Sequence, residues 1–254
     1  MKIASWNINS LRKRQDRLFA WLESAKPDVV CLQETKCPDE QFPVLALQAA
    51  GYHSAYRGEK SYNGVAILSK IAPMEVRASL GDEVVDLQTR VIAATVGPVR
   101  VYSIYAPNGQ AVGSPAYEYK IQWYGRLREC LARDKSGYLV VCGDLNVAPE
   151  DLDVHDPQLW RGAIMCSEGE RNALRDLCAV GLTDTLRLHH REGGLFSWWD
   201  YRMLAFPKNR GLRIDAILAN RALAKKCTAA GIDREMRKGK EPSDHAPVWA
   251  EFEF

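Results

Sequence analysis

Acids, amides and one phenol stand where apolar runs end along this chain. Ser5, Asn7 and Asn9 alternate with Ala4, Trp6 and Ile8, so a strand would put the polar set on one face. Glu34 closes the run Val29-Val30-Cys31-Leu32-Gln33, and Tyr105 closes Val101 to Ile104. Asp144, two residues before Asn146, closes Leu139-Val140-Val141-Cys142-Gly143. Asp215 interrupts the apolar stretch from Leu212 to Ala219, where an unpaired carboxylate is costly. His245 follows Ser243-Asp244 in a turn flanked by Pro242 and Pro247, and is its natural partner. A buried carboxylate on one ring nitrogen would fix the tautomer and raise the basicity of the other. Hard oxygen donors with one imidazole suit Mg²⁺, with Mn²⁺ as a substitute, better than zinc. The pieces also have plainer readings. Asn at a strand end forms turns, Gly143-Asp144-Leu145-Asn146 fits a simple turn, Glu34 fits a solvated helix start, and Ser243-Asp244-His245 fits a cap. Asp215 resists such a reading because its neighbours are apolar.

The elements that must hold these residues alternate between periods. Strands are predicted over 3–8, 28–34, 63–69, 90–96, 99–105, 137–144, 195–199, 213–219 and 246–252. Gly97-Pro98 reads as a tight hairpin between two of them. A helix opens at Ser10, with Leu18, Trp21, Leu22 and Ala25 on one face, and stops at Pro27. Ser114-Pro115 starts a second, with Ile121, Tyr124, Leu127 and Leu131 inward. Ser167-Glu168-Gly169-Glu170 is a capping box for a third, stopped at Gly181. Several crossovers lack a helix, so the sheet cannot be purely parallel. A mixed α/β layered fold is expected, in one domain spanning 1–254, with ligands beyond the strand ends.

Composition narrows the class. The chain has 254 residues, 46% hydrophobic and 26% charged, and its formal net charge of +2 gives no global pull toward nucleic acid or membrane. The charge is uneven, however: 202–240 holds eleven Lys/Arg against three acids. The seven cysteines form no C-x-x-C pair and sit mostly among apolar neighbours, as in a reducing compartment. With no signal-peptide pattern and no apolar run of membrane length, a cytoplasmic protein with no membrane partner is expected.

Seven motifs occur in order: Trp6-Asn7-Ile8-Asn9, Leu32-Gln33-Glu34-Thr35-Lys36, Tyr62-Asn63-Gly64-Val65-Ala66, Tyr105-Ala106-Pro107-Asn108, Gly143-Asp144-Leu145-Asn146, Asn209-Arg210-Gly211-Leu212-Arg213-Ile214-Asp215 and Ser243-Asp244-His245-Ala246-Pro247. Together they resemble the exonuclease III family of DNA-repair nucleases, within the endonuclease/exonuclease/phosphatase superfamily. The likeness runs from residue 2 to about residue 252. Phe196-Ser197-Trp198-Trp199-Asp200-Tyr201-Arg202 resembles the segment of that family which meets an abasic sugar, and separates it from phosphatase relatives. The resemblance implies a four-layer α/β sandwich, two packed mixed β-sheets flanked by helices.

It also implies roles. Glu34, with Asn7 and Asp244, would hold Mg²⁺, and Asp144, oriented by Asn146, would position or deprotonate the attacking water. His245, paired with Asp215, would donate to a non-bridging phosphate oxygen; Asp144 and His245 both remain open as the base, and one or two metal ions both fit. Tyr105 and Asn108 would contact the phosphate and leaving group, and Asn9 and Asn63 the substrate. Trp198 with Leu212 would line a pocket for the base-less sugar, while Trp199, on the opposite strand face, would be core. Arg202, Arg210 and Arg213 would meet phosphates of double-stranded DNA. The expected activity is cleavage at abasic sites or at 3′ ends, by a monomer. A catalytically silent nucleic-acid-binding regulator and a small-phosphoester phosphatase are the alternatives. The intact acidic set disfavours the first, and the tryptophan-rich segment and basic last third disfavour the second. The segments 110–114 and 151–166 follow the family pattern least, and would decide which DNA end is preferred.

Overall fold

The computed structural model describes residues 1–82 and 87–254. One sheet contains β1 (Lys2–Asn7), β2 (Val29–Gln33), β3 (His53–Arg57), β4 (Val65–Ser69), β11 (Cys227–Ile232) and β12 (Val248–Phe252). The other contains β5 (Met74–Arg77), β6 (Val91–Val96), β7 (Val99–Tyr105), β8 (Tyr138–Asp144), β9 (Leu182–Asp184) and β10 (Asp215–Asn220). Their orders are β11-β12-β1-β2-β4-β3 and β5-β6-β7-β8-β10-β9. The helices are α1 (Leu11–Ala25), α2 (Val44–Ala49), α3 (Pro115–Arg133), α4 (Pro157–Trp160), α5 (Glu168–Cys178), α6 (Thr185–His189) and α7 (Arg221–Ala224).

Apolar side chains fill three interfaces. Ile3, Val29, Cys31 and Ile67 of the first sheet meet Ile92, Val101, Val140 and Ile217 of the second. Ala4, Trp6, Leu32 and Leu68 face outward onto Leu18, Trp21 and Leu22 of α1. Tyr102, Ile104 and Val141 receive Trp123, Leu127 and Leu131 of α3, with Leu174 and Leu177 of α5. The layers are therefore helix, sheet, sheet, helix, the expected four-layer sandwich.

Each sheet is mixed and has a parallel pair at its centre, β1 with β2 and β7 with β8. Parallel neighbours need a crossover, and α1 and α3 supply it. Ser114 starts α3 by accepting from Tyr117 N, with Pro115 in the first turn, and Ser167 and Glu170 close the capping box of α5. Val96 pairs with Val99 across Gly97-Pro98, where Gly97 takes φ 57°.

Two differences from the sequence reading are informative. Residues 195–199 do not form a strand; Trp198 makes only isolated bridges, to Leu212 and His245. That segment crosses the strand ends rather than following a sheet edge. Strands β3, β5, β9 and β11 are not foreseen from periodicity, and they are the four edge strands. All of β5 is exposed and the other three are only part-buried, so no strict apolar alternation marks them.

Candidate active site

The parallel strands end on the same side of their sheets and bring their last residues together. Asn7 lies opposite Gln33 in register, Tyr105 opposite Asp144, and Asp144 opposite Asp215. Just beyond β1, β2 and β8 the backbone turns left-handed, at Asn9 (φ 45°), Glu34 (φ 49°) and Asn146 (φ 51°). Asparagine tolerates this region, whereas at Glu34 it needs support. The loop before β4 gives it: Thr35 N donates to Gly64 O at 3.2 Å and Lys36 N to Asn63 O at 3.0 Å. Glu34 O in turn accepts from Ser10 N at 2.8 Å, tying the turn to the start of α1.

Asn7 lies between the two acids that meet across the sheets. Its Nδ2 donates to Glu34 Oε1 at 2.8 Å and to Asp144 Oδ2 at 2.9 Å, while its Oδ1 accepts from Asn9 N at 3.0 Å. Asn146 N donates to Asp144 Oδ1 at 2.9 Å, and Asn108 Nδ2 to Asn146 Oδ1 at 3.2 Å. His245 Nδ1 is 2.9 Å from Asp215 Oδ2, and its Nε2 faces Asp144 Oδ2 at 3.7 Å. The pairing expected between Asp215 and His245 is thus present. Ser197 Oγ fixes Asp215 from behind, accepting from Asp215 N at 3.0 Å and Ile214 N at 3.1 Å.

Burial sets the electrostatics. It raises the Asp144 carboxyl to about 7, helped by the charge of Asp215 and opposed by His245 and the bonds from Asn7 and Asn146. For His245 burial opposes the charged form, but the carboxylates of Asp215 and Asp144 outweigh it and push the imidazole up to about 10. Burial, with Glu34 and Asp144 nearby, holds the Tyr105 phenol well above its ordinary value, so it stays a neutral donor. The Arg90 guanidinium lies over the Tyr105 ring, 4.7 Å from its centroid.

Among the described residues, Glu34, Asp144 and His245 form a group whose ligating atoms all lie within 4.8 Å of one another. Carboxylate oxygens dominate that group, and the buried Asp215 Oδ1 behind it has no hydrogen-bond partner. The donor set fits a hard divalent cation. Asp244, expected as a ligand, is not in the group: its carboxylate accepts from Asn9 Nδ2 at 2.9 Å and Trp198 Nε1 at 3.1 Å. Those two bonds and the charge of His245 outweigh burial and keep its carboxyl low.

The remaining expected residues separate into a near set and a displaced set. Trp198 is half-buried beside Asp244, and Trp199 is fully buried against Phe206, as their alternation requires. Leu212 bridges Trp198 through its backbone and is completely buried among Val154, Met165 and Ile214. Arg202 is exposed and pairs with Asp200 at 3.0 Å; Arg210 is exposed as well. Asn63 supports the Glu34 turn with its carbonyl, while its side chain donates to Glu59. Arg213 is a correction. It is 1% exposed and its guanidinium pairs with Asp153 and Asp184, each at 2.6 Å, so no phosphate can reach it.

Other residues shape the site without having been singled out. Lys36 Nζ pairs with Glu34 Oε2 at 2.7 Å and donates to Asn9 Oδ1 at 2.7 Å. Arg14 ties the end of β1 to the loop before Asp244, donating to Ile8 O, Asn9 O, Glu241 O, Pro242 O and Tyr201 Oη. Buried Lys120 donates to Asn108 O and Asn146 O. Its signal was available, since it falls on the apolar stripe of α3 between Tyr117 and Tyr124. Arg14 carries none, because charged residues surround it in sequence.

Comparison with known proteins places this arrangement in context. The model of the Endonuclease/Exonuclease/phosphatase family matches residues 4–245. Exodeoxyribonuclease III of Haemophilus influenzae is 39% identical, over 99% of this chain and 100% of the relative. A Neisseria 3′ phosphatase solved with a product DNA hairpin superposes with a TM-score of 0.98 at 44% identity, covering 100% of both chains. An AP endonuclease from Archaeoglobus fulgidus gives 0.96 at 37% identity, again over 100% of both.

Proposed function

Because this chain belongs to the Endonuclease/Exonuclease/phosphatase family, we propose that it is a DNA-repair nuclease that hydrolyses phosphodiester bonds in double-stranded DNA, on the 5′ side of abasic sites or at 3′ ends. One observation carries the reading: the Asp215–His245 pair faces Asp144, which Asn7 links to Glu34. This geometry supports reading the group as a proton donor, a base and a carboxylate for a divalent cation around one volume.

Glu34, with the Asn7 amide beside it, is the residue that would hold Mg²⁺ or Mn²⁺. Bound there, a divalent cation would supply charge neutralisation for the phosphate and the departing 3′ oxygen. The chain's own groups do the rest. Asp144, fixed by Asn7 and Asn146 N, orients the attacking water and takes its proton. His245, held by Asp215, donates to the non-bridging oxygen on which charge accumulates. Tyr105 and Asn108 donate to phosphate from the second sheet's side. Trp198, anchored on Asp244, forms a wall against which a base-less sugar can turn out, at little cost because no pairing is lost. The protein acts as a cytoplasmic monomer; its seven cysteines are all free, which suits a reducing compartment.

The experiment is cleavage of a duplex carrying one abasic analogue, and of a duplex with a recessed 3′ end, in Mg²⁺ and in EDTA. Metal-dependent cleavage of either is expected. Inertness on both in Mg²⁺ would overturn the nuclease reading.

A further inference from the structure

Behind the site lies a buried ion pair that the proposed reaction does not use. Lys120 of α3 and Glu170 of α5 have side chains with no solvent exposure. Lys120 Nζ has three donors and three acceptors around it: Glu170 Oε1 at 2.5 Å, Asn146 O at 2.7 Å and Asn108 O at 3.0 Å. The Glu170 carboxylate also accepts from Met165 N at 3.0 Å, Ser167 N at 3.1 Å and Ser167 Oγ at 2.6 Å. One ammonium therefore joins the loop after β7 to the loop after β8. It does so at the two asparagines whose side chains bond each other.

Such a pair is a poor device for stability alone. Desolvation consumes most of its Coulombic gain, and apolar side chains of similar volume often serve as well. What it supplies here is aim. Asn146 takes a left-handed backbone conformation, its N–H holds Asp144 Oδ1, and its Nδ2 donates to Ala106 O at 2.9 Å. With its carbonyl clamped by Lys120, every polar group of Asn146 has a fixed direction.

We propose that Lys120 and Glu170 are a positioning pair for the hydrolysis: they fix Asn108 and Asn146, and through Asn146 the Asp144 carboxylate, without touching substrate. The proposal rests on the nuclease reading for its effect on rate, but the positioning itself can be read without turnover.

The test uses the charge-neutral variant Lys120→Met/Glu170→Gln, which leaves no unpaired buried charge. Its melting midpoint should stay within about 5 °C of the parent. Its kcat should fall about a hundredfold, the cost of roughly a 1 Å misplacement, with KM for DNA nearly unchanged. On an Asp144→Asn background the same change should cost little further, because the effect on rate runs through that carboxylate. Lys120→Arg, which keeps the cation, should recover most of the rate. Independently, the Asn108 and Asn146 side-chain amide resonances should shift or broaden in the metal-free variant while the remaining spectrum is kept. Glu170→Asp, which keeps both charges and shortens the reach to Lys120, serves if the paired variant does not fold. Unchanged amide resonances, unchanged kcat, or an equal loss on the Asp144→Asn background would overturn the proposal. A parent without metal-dependent cleavage would instead sink the nuclease reading, and the amide resonances would still decide the positioning.

Discussion

At the scale of single residues, the site is a set of groups whose roles depend on what each one faces. Asp144→Asn keeps the shape of the side chain and removes its capacity as a base. We expect cleavage to fall at least about 10²-fold to 10⁴-fold while DNA binding, measured by anisotropy, stays within a few fold. Lost binding would make Asp144 structural. His245→Ala removes the donor toward Asp144 and leaves the buried Asp215 unpaired; kcat should drop about 10²-fold to 10³-fold, and a near-parental rate would remove His245 from the chemistry. Asp144 was legible in the sequence because it closes an apolar run, and His245 because the buried Asp215 needs a partner. Arg213 was misread for a related reason. Its charge is visible in the sequence, but its partners Asp153 and Asp184 lie 60 and 29 residues away, and only the fold brings them to it.

At the scale of elements, the central strands were readable and the edges were not. β1, β2, β7 and β8 are largely buried; β2 and β8 read as near-continuous apolar runs, and all four lead into residues of the site. β3, β5, β9 and β11 have a neighbour on one side only, and their composition answers to solvent as much as to the core. The turns that carry the site depend on backbone more than on side chains. Gly64 takes φ +91°, and a Cβ there would overlap Thr35 Oγ1 beside Glu34. Gly64→Ala should destabilise the fold by about 1–3 kcal/mol and weaken metal binding, read by denaturant unfolding and by calorimetry. Metal affinity at the parental level would mean that the Glu34 turn does not rely on this loop. The far end of α3 offers a pH test. Burial works against the charge on Asp134, but bonds from Ser136 and Tyr102 outweigh it and hold its carboxyl below the ordinary range. Its contribution is therefore full above about pH 4 and lost as pH falls through the depressed folded value. Asp134→Asn should cost about 1 kcal/mol in urea at pH 7, a gap that closes toward pH 2; a gap independent of pH would contradict the assignment.

At the scale of the whole molecule, the formal charge of +2 conceals both a surface and a buried network. Of the basic residues in 202–240, Arg213 and Arg237 are buried, so the face left for phosphates is smaller than counting suggests. The logarithm of the DNA dissociation constant should still rise linearly with the logarithm of salt concentration, by about 0.9 per phosphate contacted. A flat dependence would mean that the basic stretch is not used. Metal and fold are linked as well. Saturating Mg²⁺ should raise the melting midpoint of the parent and do so far less for Glu34→Gln, since a ligand that prefers the native state stabilises it; equal shifts would place the ion elsewhere. The pairing of β1 with β12 has a consequence for truncation. Asn7 precedes His245 by most of this chain, and β1 has an open flank until Val248 and its neighbours, just after His245, are in place. A chain that stops before that point lacks His245, the partner of Asp215, and the strand that closes the flank of β1. A fragment ending before Ser243 is therefore expected to cut no DNA, and cleavage by such a fragment would contradict this dependence on the last strand.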